Sequence, residues 1–334
     1  MPPDWFDEVP KVELHLHLEG AIPRPALWEL MQKYGGDSSV SSLADLDRKF
    51  TYADFPGFIQ AWIWKNRFLR EYEDFTFFSE AFARELVRQN IRYAEAFFSP
   101  VRFTEVGLET GKLFGAVRQG LAKVPEVEVA LIADLTRDFG PEQAIVTLAE
   151  INEARGCGII GIGLGGSEQN FPPELFTHAY DRAREMGFRT TAHAGEAAGA
   201  ESVWGAIRRL KAERIGHGVR SREDEALLDH LAESRIPLEM CPYSNVCTQV
   251  VDSIEQHPIK NYFDRGIMVT VNTDDPLMFG NTLSGEYRLL HERLGFSQDE
   301  VRQVILNGVE ATWLPEDRKR ELATEFTSDP AWVG

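Results

Sequence analysis

His15 and His17 lie one residue apart in the run Val12-Glu13-Leu14-His15-Leu16-His17-Leu18. Alternate side chains of a β-strand share a face, so both imidazoles point the same way and can grip one metal ion. A strand edge with two surface histidines is the plain alternative. Leu14, Leu16 and Leu18 argue against it, because they make the other face a buried one. Unpartnered imidazoles on a buried strand are costly. Three further polar clusters close strand-like runs: His193-Ala194-Gly195-Glu196, His217-Gly218, and Asn272-Thr273-Asp274-Asp275-Pro276. Each sets a metal-competent or acid–base residue at a strand's C-terminal end, with Gly or Pro behind it. Four such endings point to one shared site at one end of a parallel sheet.

The elements that must position these residues follow a rhythm. Strand-like runs begin near Val12, Ile91, Val127, Ile159, Arg189, Arg214, Pro237 and Met268. Helical periodicity fills the spaces between them, as in Glu142 to Ala154, Glu174 to Met186, Ala200 to Leu210 and Glu223 to Glu233. Eight strands alternating with helices predict an α/β chain, a (β/α)8 TIM barrel forming one domain over residues 1–334. A doubly wound sheet would want a glycine-rich phosphate turn after the first strand, and none is there. Gly161, Gly163, Gly165 and Gly166 come later, at spacings that do not match a dinucleotide fingerprint.

The first crossover, about residues 21–90, is too long for one helix and reads as at least three helices inserted after strand one. In Phe55 to Trp64 the apolar positions 55, 58, 59, 62 and 63 keep helical spacing. Such a stripe is ordinary core, or, on the catalytic face of a barrel, a lid over the mouth. C-terminal helices over about 297–326 would cap the barrel.

Composition narrows the partners. Asp and Glu outnumber Lys and Arg by 53 to 35, for a net charge of -18. So acidic a surface repels phosphate backbones and anionic lipid, which excludes nucleic acid and membrane as partners and otherwise serves solubility. No apolar run is long enough to span a bilayer, and the N-terminus lacks the basic and apolar regions of a secretory signal. The three cysteines, Cys157, Cys241 and Cys247, form no C-x-x-C pair, which argues against a disulfide framework or thiolate zinc site. A cytoplasmic chain is expected.

In a barrel, His15, His17, His193 and Asp274 converge from strands one, five and eight. Three imidazoles and a carboxylate suit Zn2+, which would acidify a bound water. One ion per chain is expected, because residues 126–136 and 156–170 hold no lysine to bridge a second. His217 reads as a further ligand, a general base or a charge partner of the water. Glu196, just past its strand, is placed to deliver a proton to a substrate atom. Asp275 points away from Asp274 toward substrate, and Pro276 makes a turn or helix cap an equally compatible reading.

Taken together, His15-Leu16-His17-Leu18-Glu19-Gly20, Tyr93-Ala94-Glu95-Ala96-Phe97-Phe98-Ser99-Pro100, His193-Ala194-Gly195-Glu196, Ile215-Gly216-His217-Gly218, Cys241-Pro242-Tyr243-Ser244-Asn245, Asn272-Thr273-Asp274-Asp275-Pro276 and Leu314-Pro315-Glu316-Asp317 resemble the adenosine deaminase family of zinc barrels, in the family's order. The resemblance implies that His15, His17, His193 and Asp274 bind zinc. Glu196 would protonate N1 of a purine, and activated water would attack C6 with His217 and Asp274 orienting it. Asp275 would bond N7, the Gly166 N–H would contact N3, and Phe58, Ile59 and Trp62 would cover the base. His17 and Glu19 would lie beside the substrate as well.

The sequence departs from adenosine-specific members at Glu19, where they usually carry Asp beside the ribose. Glutamate there is familiar in relatives that deaminate adenine or modified nucleosides. Gly163 and Ser167 also stand where acidic residues are common, and Trp62, Trp64 and Phe68 make the lid unusually aromatic. The expected activity is adenosine to inosine plus ammonia. Adenine, methylthioadenosine or aminodeoxyfutalosine are the alternatives with the same chemistry. A zinc- and purine-binding protein without catalysis is a third reading, which the pairing of Glu196 with His217 disfavours. The partner is a small purine nucleoside or base, and the oligomeric state stays open.

Overall fold

A computed structural model describes residues 4–51 and 55–333, with the side chains of Phe55, Pro56 and Ile59 excepted. Eight strands, β1 (Lys11–His17), β2 (Ile91–Phe98), β3 (Glu128–Asp134), β4 (Ile159–Gly163), β5 (Arg189–Ala194), β6 (Arg214–His217), β7 (Leu238–Met240) and β8 (Val269–Val271), lie side by side in sequence order, every neighbouring pair parallel. All begin within a residue of the expected starts, because each is a β-branched or apolar run bounded by Gly, Pro or polar turns.

The ring closes between β8 and β1 just past the last regular strand pairing. The His17 N–H donates to the Asp274 carbonyl at 2.8 Å, and the Asp274 N–H to the His15 carbonyl at 3.1 Å. The Asn272 side-chain oxygen accepts from the N–H groups of Leu14 and His15, standing in for a backbone ladder. On β1 the alternation works as the period of two requires: Val12, Leu14 and Leu16 pack in the hydrophobic core, while Lys11, Glu13, His15 and His17 form the other row. Phe97 of β2 packs against that row, 4.8 Å from the His15 ring and 5.0 Å from the His17 ring, centroid to centroid.

After β1 the chain makes a short 3-10 turn, Leu18–Ala21, and among the described residues four helices follow before β2: Arg24–Lys33, Leu43–Lys49, Phe55–Asn66 and Tyr72–Arg88. Helix Gln298–Ala311 packs over β8 and β1. Beyond it, Trp313 lies under the Arg214 guanidinium, 3.6 Å from ring centroid to carbon, at the start of β6. Among the described residues no helix is long and apolar enough to cross a membrane.

Candidate active site

The C-terminal ends of β1, β5, β6 and β8 bring the sequence-singled histidines and Asp274 into one buried cluster. His193 Nε2 is 3.1 Å from both His15 Nε2 and His17 Nε2. Asp274 Oδ1 is 3.4 Å from His17 Nε2 and 3.7 Å from His15 Nε2. Donor atoms of His15, His193, His217 and Asp274 all lie within 4.8 Å of one another. His217 is thus as close to the centre as the expected ligands, and His17 completes the group through His193 and Asp274.

Three ring nitrogens facing one another cannot all be satisfied by hydrogen bonds among themselves, since each neutral imidazole has one donor. Burial, together with the neighbouring imidazoles, holds His193 well below the usual histidine range. Burial also lowers His15, against the pull of Glu239. Both are therefore neutral and able to lend a lone pair. The buried Nδ1 of His193 has no hydrogen-bond partner among the described residues. A nitrogen-rich, carboxylate-completed set of this kind fits a borderline divalent cation.

A second tier orients these side chains. Glu239 Oε2 lies 2.8 Å from His15 Nδ1, which fixes the proton there and turns Nε2 inward. Arg214 sits between two carboxylates, 2.6 Å from Glu239 and 2.6 Å from Glu95, all three fully buried. Ser244 donates to Asp274 Oδ2 at 2.6 Å. Asn245 Nδ2 is 3.1 Å from His217 Nδ1, so the other ring nitrogen of His217 faces Glu196, 3.5 Å away. His217 and Asp274 both hold left-handed backbone, with φ of 61° and 66°. For residues with a Cβ that conformation costs roughly 1–2 kcal/mol each.

Glu196 stands on a loop held from beneath. The Glu168 carboxylate accepts the backbone N–H groups of Gly195, Glu196, Ala197 and Ala198, at 2.6 to 3.1 Å. Burial pushes the Glu196 carboxyl up, and Asp274 and Glu168 add to that while His217 opposes it. A carboxyl held up in this way carries a proton nearer neutral pH.

Asp275 caps nothing: helix Pro276–Phe279 begins without a side-chain cap bond. Its buried Oδ1 has no hydrogen-bond partner among the described residues, and a Cβ on Gly20 would sit 1.6 Å from that oxygen. Glu19 is fully buried in the turn after β1. Oε1 accepts the Ser99 N–H at 2.9 Å, while Oε2 has no hydrogen-bond partner among the described residues. The Gly166 backbone is left-handed, φ 99°, where a Cβ would meet Asp138 at 2.1 Å, so only glycine fits. Phe58 stacks on Phe279 at 5.5 Å, and Trp62 tilts against Phe58 at 6.3 Å, so the helix Phe55–Asn66 packs against the short helix Pro276–Phe279 that follows Asp275. The Ile59 side chain lies outside the described residues.

Sequence reasoning gave no role to Glu239, Glu168, Arg214 or Lys65. The signal available was a lone charged residue inside an otherwise apolar strand, as in Leu238-Glu239-Met240. For Lys65 it was a charge continuing the Phe58 and Trp62 stripe at helical spacing.

An eight-stranded parallel barrel that gathers histidines and an aspartate at the C-terminal strand ends defines the amidohydrolase class of barrel hydrolases. Within it, the chain belongs to the adenosine deaminase family, whose model matches residues 10–328. It is a hydrolytic deaminase. The chain is 37% identical to the aminodeoxyfutalosine deaminase of Streptomyces avermitilis, over 97% of this chain and 92% of that one. The crystal structure of adenine deaminase from Arthrobacter aurescens superposes with a TM-score of 0.91 at 31% identity, covering 97% and 99% of the two chains. A zinc-bound amidohydrolase from Burkholderia ambifaria superposes with a TM-score of 0.89 at 28% identity, over 97% and 91%.

Proposed function

We propose that the protein hydrolyses the exocyclic amine of a 6-aminopurine, releasing ammonia, and that its metal is one zinc ion per chain. The observation that carries this is Glu196 and His217 facing each other at 3.5 Å beside the histidine–aspartate cluster. A protein that merely bound purine would need neither.

In this reading His15, His17, His193 and Asp274 hold the ion. When bound, the ion lowers the pKa of water and so supplies a nucleophile at neutral pH. Asp274 and His217 orient the attacking water and accept its proton. Glu196 gives a proton to N1 of the ring, which makes C6 electrophilic. Water's oxygen bonds to C6, the C6–N bond breaks, and the amine leaves as ammonia with a proton gained from the acid–base pair. Asp275, whose carboxyl burial holds well above the usual range, keeps its proton and donates it in a hydrogen bond to N7, and the Gly166 N–H faces N3. Phe58, Ile59 and Trp62 cover the base, and Glu19 faces whatever N9 carries.

Adenosine, the first expectation from sequence, gives way to its alternatives. Glu19 is one methylene longer than the aspartate of adenosine-specific members and is buried beside Ser99. The relatives named above act, by their names, on aminodeoxyfutalosine and on adenine. These two are the proposed substrates, the modified nucleoside first. Ammonia release from a panel of 6-aminopurines, alongside metal analysis, tests the reading. Turnover of adenine or a modified nucleoside with about one zinc per chain supports it. Activity on adenosine above all others overturns the substrate, and no ammonia from any purine overturns the reaction.

A further inference from the structure

The reaction described above leaves one buried histidine, His257, without a part. It follows the 3-10 turn Ile254–Gln256 and precedes Pro258 and helix Ile259–Asp264. It is 4% exposed and stands behind the histidine–aspartate cluster, touching Asn245, the residue that meets His217. Burial, with Arg222 and His217 adding to it, lowers His257 to about 3, so the ring is neutral and carries a single N–H.

The backbone settles where that proton sits. The Ile259 N–H donates to His257 Nδ1 at 3.4 Å. A backbone N–H can only donate, so Nδ1 is the bare nitrogen and Nε2 holds the proton. His257 Nε2 therefore donates to Asn245 Oδ1, 3.2 Å away. This orients the amide and turns its NH2 to His217 Nδ1 at 3.1 Å. An NH2 cannot accept, so His217 Nδ1 is bare, and its own proton lies on Nε2, the nitrogen 3.5 Å from Glu196. Turning the amide over would set donor against donor at His257, among three buried side chains that have no water to turn to.

The row of bonds is braced at both ends. Asn245 stands on helix Pro242–Cys247 beside Ser244, which donates to Asp274. The Tyr262 hydroxyl ties helix Ile259–Asp264 to the Val219 carbonyl at 2.7 Å, two residues past His217. The left-handed turn at His217 and the segment that carries His257 are thus held at a fixed spacing.

We infer that His257 is a positioning residue: acting through Asn245, it keeps the His217 proton on Nε2, so that His217 meets the attacking oxygen as a hydrogen-bond donor. The inference rests on the deaminase reading and narrows it. With its lone pair on Nδ1 engaged by Asn245, His217 has none to offer the water. The water's proton then goes to Asp274 alone, and the His217 N–H stabilises the charge that gathers on the oxygen as it bonds to C6.

The test is nitrogen-15 spectroscopy of the zinc-loaded protein labelled at histidine, with ammonia release measured alongside. In the wild-type protein His217 should show a bare Nδ1 and a protonated Nε2, and the reverse pattern would overturn the inference. Asn245→Asp can only accept at that place, so it should bring a proton onto His217 Nδ1. An unchanged His217 spectrum in that variant would overturn Asn245 as the group that sets the proton. His257→Leu frees the amide, so His217 should become a mixture of two tautomers, and kcat should fall roughly tenfold with KM altered far less. His257→Gln offers an oxygen to Ile259 and an NH2 to Asn245, and should restore the single form and most of the rate. A histidine that merely filled space would cost stability on removal and leave the His217 resonances where they were. Full kcat with one Nε2-protonated form in His257→Leu would therefore overturn the role of His257. If that variant does not fold, the wild-type and Asn245→Asp spectra carry the decision. No ammonia from any purine, with the His217 proton on Nε2, overturns the deaminase reading and upholds the tautomer.

Discussion

Replacing Glu239 by Gln keeps the side-chain shape and removes one charge from the most enclosed part of the site. Glu239 is 0% exposed and touches His15 Nδ1 at 2.8 Å, Arg214 Nε at 2.6 Å and the Thr191 hydroxyl at 3.2 Å. Two losses follow. Arg214 loses one of its two carboxylates, and breaking a buried ion pair costs about 3–5 kcal/mol. Because Glu95 remains at 2.6 Å, the lower end applies, about 3 kcal/mol. In a chain of 334 residues that lowers Tm by about 4 °C. The second loss concerns the tautomer. A carboxylate can only accept, so it holds the His15 proton on Nδ1, whereas an amide can donate there and push the proton to Nε2, where the metal should be. Zinc affinity should fall roughly 10- to 100-fold. Competition with a chromogenic chelator measures this, and Glu95→Gln is the control. Glu95 touches Arg214 but not His15, so its variant should lose stability and keep zinc affinity. Wild-type affinity in Glu239→Gln, or an equal loss in Glu95→Gln, would refute the argument that Glu239 acts through the His15 ring.

Three other outcomes are expected. Glu196→Gln should lower kcat roughly a hundredfold or more while retaining metal, whereas His193→Ala should lose the metal, as plasma emission analysis would report. Gly20→Ala forces Asp275 aside, since the new Cβ would lie 1.6 Å from its Oδ1. Loss of one substrate hydrogen bond should cut kcat/KM roughly tenfold or more with zinc content unchanged, and an unaffected kcat/KM would show that Asp275 does not touch substrate. Burial raises Glu286 to about 8, opposed by its bonds from Asn281 and Tyr243. A carboxyl with a raised folded pKa stabilises fully below its unfolded pKa, and that contribution is lost as pH rises through about 8. Glu286→Gln, which cannot ionise, should melt no higher than wild type near the acid end and gain on it steadily toward alkaline pH. Parallel melting curves would refute the shift.

What the sequence revealed and hid follows from the range of the forces involved. The strands were legible because β-branched runs and their Gly and Pro stops act locally. The histidines were legible because a period of two puts 15 and 17 on one face of β1. The supporting carboxylates were not. Glu239 meets His15 across 224 residues of chain, and Glu168 meets Ala197 across 29, so no spacing announces either pairing. Asp275 was compatible with both a turn or cap and a substrate contact because both use the same residue type before proline, and helix Pro276–Phe279 makes no side-chain cap bond with it. Lys65 was passed over because hydrophobic periodicity counts apolar positions. A lysine buried against Trp62 is invisible to it.

His217 and Asp274 hold backbone that suits glycine, at φ of 61° and 66°. These two positions, both used by the proposed reaction, are thus places where the backbone conformation alone would favour another residue. Relieving each would gain roughly 1–2 kcal/mol in the metal-free chain. A library screened for heat resistance alone, with chelator present, should return glycine at 217 and 274 early, and every such winner should be inactive. Selection for durability and selection for turnover pull in opposite directions at those two strand ends, so the histidine and aspartate there are a record of which pressure has prevailed.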